Sequence, residues 1–129
     1  MTHPDDRGRP LTAEGRAEIE RLSKELRGRL PEVNLILTSP YARAAQTAEI
    51  LDKVYQVFPI EVAALEPEAD TEPWVKWVAR ARGPVALVGH EPFLGALASR
   101  LTGKQMELAK GSACLIEAGK VVWTAGPEA

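Results

Sequence analysis

Two short runs of apolar residues contain no alternating polar positions: Leu35–Thr38 and Val85–Val88. Runs of this kind predict strands that are buried on both faces, as in a parallel sheet. A shorter strand is predicted at residues 61–65. Residues 113–117 and 120–124 flank Ala118-Gly119 and predict a hairpin or a pair of edge strands.

Helical spacing of apolar residues fills most of the chain between these strands. Residues 12–30 predict an amphipathic helix, with Thr12 as N-cap and Pro31 just beyond its end. Ser39-Pro40 predicts the start of a second helix, running to about Phe58, because serine is a good N-cap and proline a good first helical residue. Two further helices are expected over residues 71–81 and 93–101.

The order of the predicted elements indicates the fold class. Helices alternate with strands until the final hairpin, which is typical of an α/β three-layer sandwich with a mainly parallel central sheet flanked by helices. A chain of 129 residues suits one domain, so we expect a single domain over residues 1–129. Parallel sheets place ligands beyond the carboxyl ends of their strands, which directs attention to the loops at residues 39–43 and 89–92.

Composition narrows the classes of function. The net charge of −2 is not that of a general nucleic-acid binder, and no apolar run is long enough to span a bilayer. The single cysteine, Cys114, forms no internal disulfide and fits a cytoplasmic protein; we expect it to be an inert core residue. No Cys/His cluster has zinc spacing, and we expect neither a metal nor another cofactor.

The two loops share one construction, in which a buried strand is followed by a polar residue, a proline and a helix. Each places a helix N-terminus, which attracts anions, at a strand tip. Arg43 can bind two phosphate oxygens, and His90 can donate a hydrogen bond or a proton. Each residue also has a structural interpretation: a solvated Arg43, a turn His90, Ser39 as an N-cap and Glu91 as a complement to the helix start. Together the loops predict a phosphate pocket.

Three segments carry a resemblance to a known family: RPLTAEG at residues 9–15, TSPYARAAQTA at 38–48 and VGHEP at 88–92. They resemble the histidine phosphatase superfamily, with its phosphoglycerate-mutase-like fold, and most of all its small SixA-type phosphohistidine phosphatases. The resemblance implies that Arg43 and His90 are catalytic residues that hold the phosphoryl group, with Ser39 as a further phosphate-binding residue. Glu91 is a candidate proton donor.

One family feature has no counterpart in this sequence. Family members begin with a central strand that carries an Arg-His motif, whose histidine attacks phosphorus. Here His3 is the only other histidine, and it follows no strand; we interpret it as a solvated terminal residue. We therefore expect an N-terminally incomplete domain without a nucleophile, inactive as given. Loss of a central strand predicts open strand edges, an apolar slot between helices and a tendency to form a homodimer.

Three functions follow as hypotheses. The leading one is hydrolysis of phosphohistidine in a protein, or of a small phosphate ester, through a phosphohistidine intermediate. The alternative is a pseudoenzyme that binds phosphate or a phosphoprotein without turnover. A weaker third is assembly through the Trp74/Trp77 helix or an open sheet edge. In no case do we expect a nucleic-acid or membrane partner.

Overall fold

The computed structural model describes residues 8–66, 69–81, 83–90, 93–103, 113–117 and 120–125. Within these ranges the helices are α1 (Ala13–Arg29), α2 (Ala42–Tyr55), α3 (Glu72–Arg80) and α4 (Phe93–Thr102). The strands are β1 (Leu35–Thr38), β2 (Ile60–Glu61), β3 (Val85–Val88), β4 (Ala113–Glu117) and β5 (Lys120–Ala125). No helix in this part of the chain is long and apolar enough to cross a membrane.

The strands form one sheet in the order β2-β1-β3-β4-β5. Strand β1 is parallel to both β2 and β3, β4 is antiparallel to β3, and β5 is antiparallel to β4. Four strands therefore run in one direction and β4 runs in the other. This confirms the mainly parallel sheet, and the pairing of β4 with β5 confirms the predicted hairpin.

Side chains alternate between the two faces of the sheet and fill two cores. On one face Ile36 and Ala86 pack with Leu26 of α1 and Leu51 of α2. On the other face Leu37, Leu87 and Cys114 pack with the apolar sides of α3 and α4. Helices cover both faces, which confirms the three-layer α/β sandwich.

Strand β3 is paired on both sides, and this corrects the expectation of an open edge inside the sheet. Val85 pairs with Leu35 of β1 on one side and with Ile116 of β4 on the other. Strand β4 forms the backbone hydrogen bonds with β3 that were expected to be missing. Among the described strands, β2 and β5 therefore lie at the two edges of the sheet. The reason given for a homodimer across an open central edge therefore no longer holds.

The boundaries of α1 follow from its sequence. The Thr12 hydroxyl accepts a hydrogen bond from the Gly15 backbone N–H at 2.9 Å, which confirms Thr12 as N-cap. The helix ends at Arg29, and Leu30 N–H still donates to the Leu26 carbonyl. The predicted helix over 12–30 is therefore confirmed to within a residue at each end.

Two other predicted boundaries are wrong. Helix α2 ends at Tyr55 rather than near Phe58, because Gln56 adopts a left-handed conformation with φ 59° that stops the helix. The strand predicted at 61–65 is β2, only two residues long, followed by a 3₁₀ turn over Ala63–Leu65. Leu65 was predicted to lie in a strand. It lies instead in this turn, and its side chain is completely buried in the core.

Candidate functional site

The carboxyl ends of β1 and β3 meet in register, which brings the two predicted loops together. Thr38 pairs with Val88, and the next residue of the first loop, Ser39, donates its backbone N–H to the Val88 carbonyl at 2.8 Å. Because the strands are parallel, both loops leave the sheet at the same edge. His90 and Ser39 therefore become neighbours although 51 residues separate them.

A buried hydrogen bond joins these two residues. The Ser39 Oγ and His90 Nε2 atoms lie 2.8 Å apart. The Ser39 side chain is fully buried and His90 is only 2% exposed. The same hydroxyl oxygen accepts the Tyr41 backbone N–H at 3.2 Å. Ser39 thus holds the imidazole of His90 against the loop that leads into α2.

This arrangement corrects the role predicted for Ser39 as an N-cap. Helix α2 begins at Ala42, its N-cap is Tyr41, and no side chain caps it. Pro40 accordingly lies before the helix and is not its first residue. The cause is the β-ladder: the bond from Ser39 N–H to Val88 keeps Ser39 in an extended segment, and its hydroxyl contacts His90 instead.

The ring of Tyr41 connects His90 to Arg43. Its centroid lies 4.8 Å from that of the His90 imidazole, with the planes inclined by 52°. The guanidinium carbon of Arg43 lies 5.6 Å from the same Tyr41 centroid, within the range of a cation–π contact. The structure thus brings Arg43, His90 and Ser39 together, and adds Tyr41. An aromatic residue between Ser39 and Arg43 was the available signal, and its significance was missed.

The segment before α1 is attached to the same end of α2. The Leu11 backbone N–H donates to Gln46 Oε1 at 2.8 Å. Thr47 donates its hydroxyl to the Arg43 carbonyl at 2.9 Å and holds the first turn of α2. The segment RPLT and the segment SPYARAAQT, recognised separately in the sequence, therefore lie against each other beside the site.

Two features of this edge favour an anion. Helix α2 directs its N-terminus toward it, the first turn of α2 contains no acidic residue, and Arg43 lies in that turn. Arg43 and Tyr41 are half-buried, whereas His90 and Ser39 are covered. Within the described ranges no three His, Cys, Asp or Glu side chains are grouped to hold a metal ion.

Two residues singled out in the sequence, His3 and Glu91, lie outside the described residues. The role of Glu91 as a candidate proton donor accordingly stays a prediction. The residue after this gap, Phe93, begins α4, and the Leu94 backbone N–H donates to the His90 carbonyl at 2.8 Å.

The fold is that of an α/β sandwich with Arg43 and His90 at the carboxyl edge of its sheet, and sequence comparison identifies the family. Residues 5–75 match the model of the histidine phosphatase superfamily (branch 1). The chain belongs to this superfamily. A relative of uncharacterised function from Picosynechococcus sp. (strain PCC 7002) is 32% identical over 130 residues, covering 91% of this chain and 76% of the relative.

The fold is similar to those of solved SixA structures. The protein histidine phosphatase SixA complexed with tungstate superposes with a TM-score of 0.79 at 22% identity, covering 98% of this chain and 90% of SixA. A protein from Agrobacterium tumefaciens assigned as a phosphohistidine phosphatase SixA gives 0.76 at 20% identity, with 98% and 90% covered. One from Nakamurella multipartitia with the same assignment gives 0.74 at 20%, with 100% and 91% covered.

Proposed function

We propose that the protein is a SixA-type phosphatase that removes a phosphoryl group from phosphohistidine in a protein or from a small phosphate ester in the cytoplasm. The observation that carries the proposal is the juxtaposition of Arg43 and His90, through Tyr41, beside the N-terminus of α2. A guanidinium matches two phosphoryl oxygens, and an imidazole can donate to a third. Phosphoryl transfer depends chiefly on such positioning and charge.

The proposed reaction has two steps. A histidine nitrogen attacks phosphorus in line with the leaving group, so that an N–P bond forms as the bond to the leaving group breaks. Water then attacks the phosphohistidine and releases inorganic phosphate. His90 is the only histidine among the described residues, and the proposal gives it the oxygen-binding role. The attacking histidine is that of the family's Arg-His motif, for which the given sequence shows no counterpart. Arg43 and His90 stabilise the charge on the equatorial oxygens.

The leaving group decides whether an acid is needed. An alkoxide from a phosphate ester has to be protonated as it leaves, and Glu91 is the candidate donor. The imidazole of a phosphohistidine substrate is a better leaving group and needs less help. A phosphorylated protein is therefore the partner that makes the smallest demand for a proton donor.

A second function, phosphate binding without turnover, is favoured by the burial of His90. A side chain that is 2% exposed and hydrogen-bonded to Ser39 is well placed to complete a binding site. It is less well placed to follow a substrate through a reaction. The partner in this case is again a phosphoprotein or inorganic phosphate.

Arg43→Ala tests the site that both functions share. Tungstate and inorganic phosphate are titrated into the protein, and binding is followed by calorimetry and by the shift in melting temperature. Loss of a charge-assisted bond to an anion weakens binding by roughly ten- to a hundredfold. The control is Arg80→Ala at the end of α3, whose side chain is exposed. Equal binding by the Arg43→Ala and Arg80→Ala variants contradicts the proposed site.

Turnover separates the two functions. The protein isolated from its source is incubated with an activated phosphate ester and with a phosphohistidine peptide, and released phosphate is measured. Binding of phosphate together with hydrolysis that Arg43→Ala removes supports the phosphatase. Binding without hydrolysis supports the non-catalytic function, and absence of binding to the wild-type protein contradicts both.

A further inference from the structure

Tyr41 contacts both groups that the proposed function uses, and no role has been assigned to it. We infer that Tyr41 is a positioning residue, whose aromatic ring orients the Arg43 guanidinium and the His90 imidazole toward one shared anion. The inference rests on the proposed phosphate site. It concerns the ring alone, because two separate contacts converge on it: His90 at 4.8 Å between centroids and Arg43 at 5.6 Å from Cζ to centroid.

Hydrogen bonds on both sides of Tyr41 fix its backbone, so the point from which its side chain projects is defined. Its N–H donates to Ser39 Oγ, and its carbonyl accepts the Ala45 N–H at 2.9 Å. The residue has an extended conformation, φ −61° and ψ 141°, as the N-cap of α2. The side chain therefore projects from the junction of the first loop with the helix. Arg43 and His90 both lie within contact distance of this one ring.

The chemistry of an aromatic face suits this position. The π-face carries partial negative charge, so it attracts the Arg43 guanidinium, and the imidazole of His90 packs against the same ring. Two side chains that converge on one anion can turn away from it while the site is empty. A ring that contacts both removes side-chain freedom that binding would otherwise have to remove.

A bulky aliphatic side chain at position 41 would fill the same space, but it would offer no negative face to the Arg43 guanidinium. Tyr41 is half-buried, and leucine is also apolar and bulky. Leucine has no π-face, whereas phenylalanine keeps the ring and loses only the hydroxyl. The pair Tyr41→Phe and Tyr41→Leu therefore distinguishes a positioning ring from a packing residue.

The experiment measures the dissociation constant of inorganic phosphate by calorimetry for the wild-type chain and both variants. We expect Tyr41→Phe to bind within twofold of wild type and Tyr41→Leu to bind roughly three- to tenfold more weakly, the effect of one cation–π contact at a partly exposed site. The control is Phe58→Leu, since Phe58 is an aromatic residue with 82% exposure outside the site. Tyr41→Leu binding as tightly as wild type, or more tightly, overturns the inference.

A second measurement keeps the test independent of any change in packing. Fluorinated phenylalanines at position 41 keep the shape of the ring and progressively weaken its negative face. A graded loss of phosphate affinity along the series supports the positioning role, and a constant affinity overturns it even if Tyr41→Leu fails to fold. Failure of the wild-type chain to bind phosphate would instead contradict the proposed function itself, so the two failures are distinguishable.

Discussion

Among single residues, Cys114 shows most directly how burial changes chemistry. It lies in β4 and is 1% exposed, within the core beneath α3 and α4. Burial without a compensating charge raises the pKa of its thiol to about 12. The side chain therefore stays a neutral thiol at physiological pH, in agreement with the inert core residue that the sequence predicts. Thiol reagents should modify it only after unfolding.

The raised pKa of Cys114 predicts a loss of stability in alkali. Above its ordinary pKa of 9.0 the thiol ionises in the unfolded chain, whereas in the folded chain it keeps its proton up to about pH 12. The free energy of unfolding should therefore fall between pH 9 and 12, by up to about 1.4 kcal/mol per pH unit from this residue. Burial also raises the pKa of Tyr55.

Urea unfolding of wild type and Cys114→Ala at several pH values measures the slope. Tyr55 is present in both proteins, so its contribution cancels in the comparison. A slope that is the same in both proteins would contradict the assigned cause.

At the same scale, the sequence predicted which side chains would meet but not how. Arg43 and His90 could be placed at one edge because each follows a buried strand, and parallel strands end together. The bond between Ser39 and His90 depends on the register of β1 against β3, which the local sequence does not specify. Serine favours N-cap positions, but Ser39 instead donates its backbone N–H to the Val88 carbonyl and stays in the extended segment. Tyr41 escaped notice because aromatic residues usually pack in cores.

At the scale of elements, Gly83 determines the entry into β3. It has a φ of +76°, and a Cβ placed on it would collide with the side-chain amide of Asn34. The Asn34 backbone N–H donates to the Pro84 carbonyl at 2.9 Å, which holds this residue beside Gly83. The sequence predicted a break at Gly83-Pro84, but the need for a left-handed glycine became visible only with the structure.

Two alanine substitutions at glycines should have opposite effects. Gly83→Ala combines a left-handed backbone with a clash, so we expect it to lower the free energy of unfolding by more than about 1 kcal/mol. Gly28→Ala lies in the last turns of α1, where an added Cβ meets nothing within 4 Å. It should raise stability by roughly 0.5–1 kcal/mol, since alanine favours helix more than glycine does. Chemical denaturation checks both, and a destabilised Gly28→Ala would contradict the argument.

The order of strands is the property of the whole molecule that the sequence described least well. Alternating elements predicted the layers, and the apolar runs predicted β1 and β3. Strands β3 and β4 are about 30 residues apart in the sequence. They pair through backbone hydrogen bonds, which the pattern of side chains does not reveal. The expectation of an open interior edge was based on the family resemblance. It was wrong for the described strands.

Hydrogen exchange tests this pairing. With partners on both sides, the backbone amides of β3 should exchange slowly, close to the limit set by global unfolding. Those of the two-residue edge strand β2 should exchange faster. Exchange is followed residue by residue by NMR. Fast exchange throughout β3 would restore the open edge and, with it, the argument for a dimer.

The register between β1 and β3 also has a consequence for the order in which the chain becomes structured during synthesis. Leu35 pairs with Val85, so the central pair of the sheet joins residues far apart in sequence. A ribosome adding about 5 to 20 residues per second needs roughly 3 to 10 seconds to make the intervening stretch. Among the described strands, the two-residue β2 is then the only other strand made that pairs with Leu35–Thr38. A nascent chain paused before Val85 should therefore be a preferred client of chaperones.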